Sequence, residues 1–183
     1  KEQGAKQVVG TDLSERMLAK AAEMTASPVV SYQRLAMEDM AFNEGSFDIV
    51  LSSLALHYVT DYPALVKKIH RCLKPGGQLV FSAEHPIFTA YGTQDWHRDE
   101  SGDILHWPVD NYFISGKRET SFLGEPVIKY HRTVTEYVEP LLQGGFKLKH
   151  LIEPQPPAEM LDIEGMRDEL RRPMMLIVSA EKI

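Results

Sequence analysis

The sequence runs to 183 residues, 43% of them hydrophobic, enough for one sizeable core and too little for two comfortable ones. A formal net charge of -6 gives a mildly acidic surface with no general attraction for nucleic acid or an anionic membrane, and the single cysteine, Cys72, rules out an internal disulfide. No apolar run approaches bilayer-spanning length, no Cys/His cluster has zinc-ligand spacing, and a soluble protein of the reducing cytoplasm, without metal, fits best.

Lys1 to Gly4 read as the end of a helix closing on a glycine. A short buried strand ending at Asp12 follows, and Ser14 then caps a helix to about Met24, whose apolar stripe is Met17, Leu18, Ala21 and Ala22. Pro28 breaks this unit, Val29 to Leu35 form a second strand, and a loop from Ala36 to Gly45 leads to a third, β-branched strand, Phe47 to Ser53. Asp61 caps a helix with Leu65, Ile69 and Leu73 inward and Lys67, Lys68 and Arg71 outward, stopped by a tight turn at Lys74-Pro75-Gly76-Gly77. Gln78 to Ala83 is the fourth strand. Strands alternating with helices and loops predict a parallel, doubly wound α/β sheet.

From Pro86 to about Glu125 the periodicity fades, and Tyr91, Trp96, Trp107, Tyr112 and Phe113 lie among Gly, Asp and Pro, as in an insertion covering the active-site end of the sheet. A strand (Val127 to Val134), a short helix (Thr135 to Gln143), a strand (Phe146 to Ile152), a loop with Pro154, Pro156 and Pro157, an amphipathic helix (Ala158 to Arg171) and a terminal strand (Met174 to Ala180) complete the chain.

Ligands of open α/β sheets bind at the carboxyl ends of the strands, and an acidic residue ending the second strand can accept from both hydroxyls of a ribose. Asp12-Leu13-Ser14 with Met17-Leu18, Ala36 to Phe42, Phe47-Asp48 leading to Ser52-Ser53-Leu54-Ala55-Leu56-His57-Tyr58, and Lys74-Pro75-Gly76-Gly77 together resemble class I S-adenosylmethionine-dependent methyltransferases. The resemblance is specific over residues 7–86 and is to the broad group that includes the ubiquinone and menaquinone methyltransferases. It implies one domain, 1–183, with a cofactor-binding half (7–86), a substrate-covering insertion (87–125) and C-terminal strands and helices (126–183). The implied sheet is Rossmann-like and mostly parallel, with an antiparallel C-terminal strand.

S-adenosylmethionine is the implied cofactor. Asp12 would accept from its ribose hydroxyls, Leu13 and Met17 would lie against the adenine, and Met37 would meet the adenine edge through its backbone. Relatives with an Asp one place earlier use it on the adenine amino group; Ala36 stands there, which moves that contact to Glu38 or removes it. Ser52, Ser53 and Leu54 would line the methionine portion, with His57 and Tyr58 on the substrate side. The family's first strand and Gly-x-Gly-x-Gly turn have no counterpart, since Gly4 and Gly10 do not form one. The expectation is therefore of a sequence belonging to a longer working enzyme, binding cofactor weakly or not at all by itself.

Methyl transfer from a sulfonium is an in-line displacement that asks for positioning and dryness, and for a general base only where the nucleophile must lose a proton. His57 and His85 are the candidate catalytic residues, with Glu84 beside them; each also has a purely structural reading, as a backbone partner or a strand-ending turn. The acceptor is expected to be a small molecule. Two alternatives stay open: a nicotinamide-dependent oxidoreductase, against which stand the Pro-Gly-Gly turn and the lack of a Tyr-x-x-x-Lys dyad, and a non-catalytic binding protein of methyltransferase-like fold.

Overall fold

A computed structural model of the chain describes residues 4–25, 27–122 and 124–183, so the helix end expected at residues 1–3 lies outside the described residues. The chain divides into two units, Lys1–Phe42 and Asn43–Ile183. In the first, β1 (Val8–Asp12) and β2 (Val30–Arg34) pair in parallel, and α1 (Glu15–Met24) is the crossover. Ser14 starts that helix: its Oγ accepts the Met17 N–H at 3.3 Å, satisfying one of the amides a helix leaves open at its beginning. No described residue of this unit is fully buried.

The second unit runs β3 (Phe47–Ser53), α2 (Tyr62–Cys72), β4 (Leu73–Glu84), α3 (Pro86–Thr89), β5 (His97–Arg98), β6 (Ile104–His106), β7 (Gly116–Phe122), β8 (Glu125–His131), α4 (Val134–Gln143), β9 (Phe146–Ile152) and β10 (Met175–Lys182). Its main sheet has the order β3-β4-β10-β9, with β3 parallel to β4 and β10 antiparallel to both β4 and β9. The mixed sheet with an antiparallel C-terminal strand is thus as expected. Along β4 the period of two sends Leu79, Phe81 and Ala83 into the core, where Leu176, Val178 and Ala180 of β10 join them. Helices α2 and α4 meet over Phe81: the Tyr62, Phe81 and Tyr137 rings lie within 6.3 Å of one another, and the Tyr62 hydroxyl donates to the Tyr137 carbonyl at 3.0 Å. The opposite face of β4, carrying Val80, Ser82 and Glu84, is only half-buried. Among the described residues, no strand pairs with the second edge of β1 or of β3.

Three expectations need correction. The residues 74–77 do not separate helix from strand: β4 already begins at Leu73, and the register jumps from Phe47↔Leu73 to Ile49↔Gln78, so they form a bulge inside the strand. Gly76 takes φ +74 there, and a Cβ on Gly77 would lie 2.8 Å from the Lys74 carbonyl oxygen. The amphipathic helix expected from Ala158 to Arg171 is only two 3-10 turns, Ala158–Met160 and Asp168–Arg171, because Gly165 at φ +80 interrupts it and its hydrogen bonds are i→i+3, as from Ile163 N–H to the Met160 carbonyl. The insertion, irregular by sequence, is built from α3, the antiparallel ribbon β5/β6 and β7, which pairs with the following strand β8.

Candidate active site

In the first unit Asp12 ends β1, and the Leu35 N–H donates to the Asp12 carbonyl at 3.1 Å, so the ends of both strands and the short turn Met37–Asp39 share one edge. The Asp12 carboxylate is exposed; Oδ1 accepts the Ser14 N–H at 2.7 Å. Leu13 and Met17 are exposed apolar side chains next to it. Arg34 fixes the segment between them, donating to the Leu13 carbonyl and to Glu15.

In the second unit Ser52 and Ser53 finish β3, and Leu54 turns the chain with φ +49, a conformation few non-glycine residues adopt. Its N–H is held twice by Ser82, through the carbonyl at 3.0 Å and the hydroxyl at 3.1 Å. Ser52 Oγ is buried and has no protein partner among the described residues. The 3-10 turn Leu56–Tyr58 follows, and within it His57 is 2% exposed, with Nδ1 accepting the Glu84 N–H at 3.3 Å. Its proton therefore resides on Nε2. Burial drives the His57 pKa down to about 4; Glu84 opposes that shift, while Lys129 and Arg132 add to it.

Glu84 ends β4 and is gripped by side chains of the insertion and of β8. Lys129 Nζ donates to Glu84 Oε1 at 2.5 Å and to Gln94 Oε1 at 2.8 Å, Gln94 Nε2 donates to Glu84 Oε2 at 2.7 Å, and the Thr120 hydroxyl donates to Gln94 Oε1 at 3.2 Å. Gln94 makes these bonds from φ +56. A buried ion pair is weak evidence for stability, since desolvation offsets most of its attraction. Sequence reasoning missed Lys129, Gln94 and Thr120. The available signal was a lysine in phase with Val127 and His131, on the inward side of β8.

His85 sits differently. Its Nδ1 caps α3 by accepting the Ile87 N–H at 3.1 Å, and Glu153 Oε1 stands 2.9 Å from Nε2 without hydrogen-bond alignment. Burial lowers its pKa, against the pull of Glu153. Arg132 is buried, donating to the carbonyls of Leu56, Val59, Thr60 and Tyr130 and so fastening the His57 turn to β8. Trp107 stacks on Phe88 and meets Trp96 edge-on, while Tyr112 meets His131.

Within the first unit, an exposed carboxylate with one oxygen engaged and apolar side chains beside it suit a nucleoside with free ribose hydroxyls. Within the second, Ser52 presents an orphaned buried hydroxyl at the end of β3. Comparison with known proteins bears on the same point. The family described as "Methyltransferase domain" matches residues 1–81. The crystal structure of a candidate S-adenosylmethionine dependent methyltransferase from Listeria monocytogenes is 53% identical, with a TM-score of 0.96 over 100% of this chain and 82% of that one. An S-adenosylmethionine dependent methyltransferase from Mesorhizobium loti is 41% identical, with a TM-score of 0.90 over 99% of this chain and 83% of that one. An uncharacterized protein of Haemophilus influenzae is 32% identical over 100% of this chain and 74% of its own length. The chain belongs to the class I S-adenosylmethionine-dependent methyltransferases, and its cofactor is S-adenosylmethionine. None of these relatives supports the oxidoreductase alternative. No helix among the described residues is long and apolar enough to cross a membrane.

Proposed function

We propose that this chain carries out methyl transfer to a small-molecule acceptor met at the carboxyl ends of β3 and β4. The observation that carries this reading is the end of β3: Leu54, held at positive φ by Ser82, stands in the same unit as the Glu84–Lys129–Gln94 ring and His57. For the cofactor we assign Asp12 to the ribose hydroxyls, Leu13 and Met17 to the adenine face, Met37 and Glu38 to the adenine edge, and Ser52, Ser53 and Leu54 to the methionine portion. Bound S-adenosylmethionine supplies an electrophilic methyl group on a sulfonium. Among the described residues β1 and β3 each leave one edge unpaired, which supports the reading that a further strand and its glycine-rich turn belong to the working enzyme.

The chain's own residues then orient the acceptor and exclude water. Of the two candidate histidines, His57 is the better placed. Its Nε2–H has no protein acceptor among the described residues, and as a neutral imidazole it donates a hydrogen bond that orients the acceptor. A ring with a pKa near 4 is a weak base at neutral pH, so His57 orients the acceptor rather than taking its proton. His85 serves as the N-terminal cap of α3, just beyond β4. Isothermal titration of the full-length protein with S-adenosylhomocysteine tests the cofactor assignment: Asp12→Asn keeps an oxygen for Ser14 but removes the charge, and Kd is expected to rise roughly tenfold. An unchanged Kd would remove Asp12 from the site, and absence of binding in the wild type would favour a non-catalytic protein.

A further inference from the structure

Both tryptophans of the chain stand in one cluster within the insertion. Phe88 and Trp107 stack with centroids 4.9 Å apart and 14° between planes, and Trp96 meets Trp107 edge-on at 5.1 Å. The Trp107 indole N–H donates to the Ile87 carbonyl at 3.1 Å, which fixes its orientation. These three rings form a cage, and the guanidinium of Arg172 fills it: its Cζ lies 4.4 Å from the Trp107 centroid, 4.9 Å from Phe88 and 5.1 Å from Trp96.

Arg172 reaches the cage from a thin strap. The 158–171 segment consists of short 3-10 turns with no buried residue in either, broken by Gly165 at φ +80. Its hold on the insertion is concentrated at its end. Arg172 is braced by both oxygens of Glu169, at 2.6 and 3.0 Å, while its buried Nε has no hydrogen-bond partner among the described residues. Arg171 donates to the carbonyls of Ile104 and Leu105 on β6 and stands 5.1 Å from Trp96. Just beyond, the Met174 carbonyl accepts the His85 N–H at the end of β4. A segment with little burial elsewhere and one cation in an aromatic box can open locally without unfolding the sheet.

We propose that the Phe88–Trp96–Trp107 cage is a guanidinium-binding site that the chain fills with its own Arg172, so that the 158–172 strap bolts the insertion over the carboxyl end of β4. The bolt is reversible in kind: remove the guanidinium and the cage accepts a free one. This proposal rests on cage geometry and stands apart from the methyl-transfer reading.

Because both tryptophans belong to the cage, intrinsic fluorescence reads it directly. In full-length protein, Arg172→Ala is expected to shift the emission to the red and to speed protease cleavage within residues 92–115 roughly tenfold, with far-UV circular dichroism unchanged. Millimolar ethylguanidinium should reverse both effects saturably, and uncharged propylurea should not. Arg172→Lys, which keeps the charge but loses the planar stack, should fall between. Should Arg172→Ala fail to fold, Glu169→Gln leaves the guanidinium in place without its brace and is expected to give a smaller red shift and cleavage that quickens with salt. Emission and cleavage unchanged in the variant that is measured, or an equal response to ethylguanidinium and propylurea, would overturn the proposal.

Discussion

His57 shows how one side chain ties the site to the stability of the fold. It is buried and neutral when folded, with a pKa near 4, while in the unfolded chain it titrates at its ordinary value of 6.5. Between these values the unfolded chain takes up a proton that the folded chain refuses. Its contribution is therefore complete above pH 6.5 and is lost as the pH falls towards 4, a loss on the order of 3 kcal/mol over the whole window. The buried rings of His85 and His131, lowered for the same reason, act in the same direction. In His57→Gln the fall of Tm between pH 6.5 and 4 is expected to be shallower than in the wild type. Parallel curves for the two proteins would mean that His57 is already protonated in the fold. Sequence position alone made His57 and His85 equals, each following a strand. Only the direction of the backbone N–H groups they accept separates them.

At the level of elements, the helix starts and strands were the most legible part of the chain. Ser14 and Asp61 each accept a backbone N–H at the start of their helix, a short-range preference written in three or four residues. Thr133, expected from the sequence within a strand running to Val134, instead caps α4. The bulge at 74–77 was not legible, because a Pro-Gly-Gly segment reads as a turn until its neighbour strand is known. It carries its own test. The Cβ of Gly77→Ala would meet the Lys74 carbonyl oxygen at 2.8 Å and the Asp48 carbonyl oxygen at 3.2 Å, both backbone atoms that cannot swing aside. That substitution is expected to cost about 1–3 kcal/mol, read as a lower urea midpoint at unchanged m. An unchanged midpoint would mean that the strand pairing relaxes around the methyl group.

Across the whole molecule, burial is uneven. Every fully buried hydrophobic side chain among the described residues belongs to the unit from Asn43 onward, many of them on β4, β10 and the helices over Phe81. Amide hydrogen exchange is therefore expected to be slowest along residues 79–83 and 176–180, exchanging only through global unfolding, and much faster across β1, α1 and β2. Equal protection in the two units would contradict this ordering.

The sequence by itself determined the alternation of strands and helices, the caps at Ser14 and Asp61, and the order of motifs from Asp12 through His57 to Gly77 by which the family is recognised. These are local properties, fixed by hydrophobic period and by side chains within a few residues of the backbone groups they bind. Tertiary structure alone decided that Lys129, Gln94 and Thr120 close on Glu84, that Arg132 turns inward to the carbonyls of Leu56, Val59 and Thr60, and that Arg172 enters a cage of three rings. Each joins side chains far apart in the chain, and the favourable term arises only once burial has removed the water that would otherwise satisfy them.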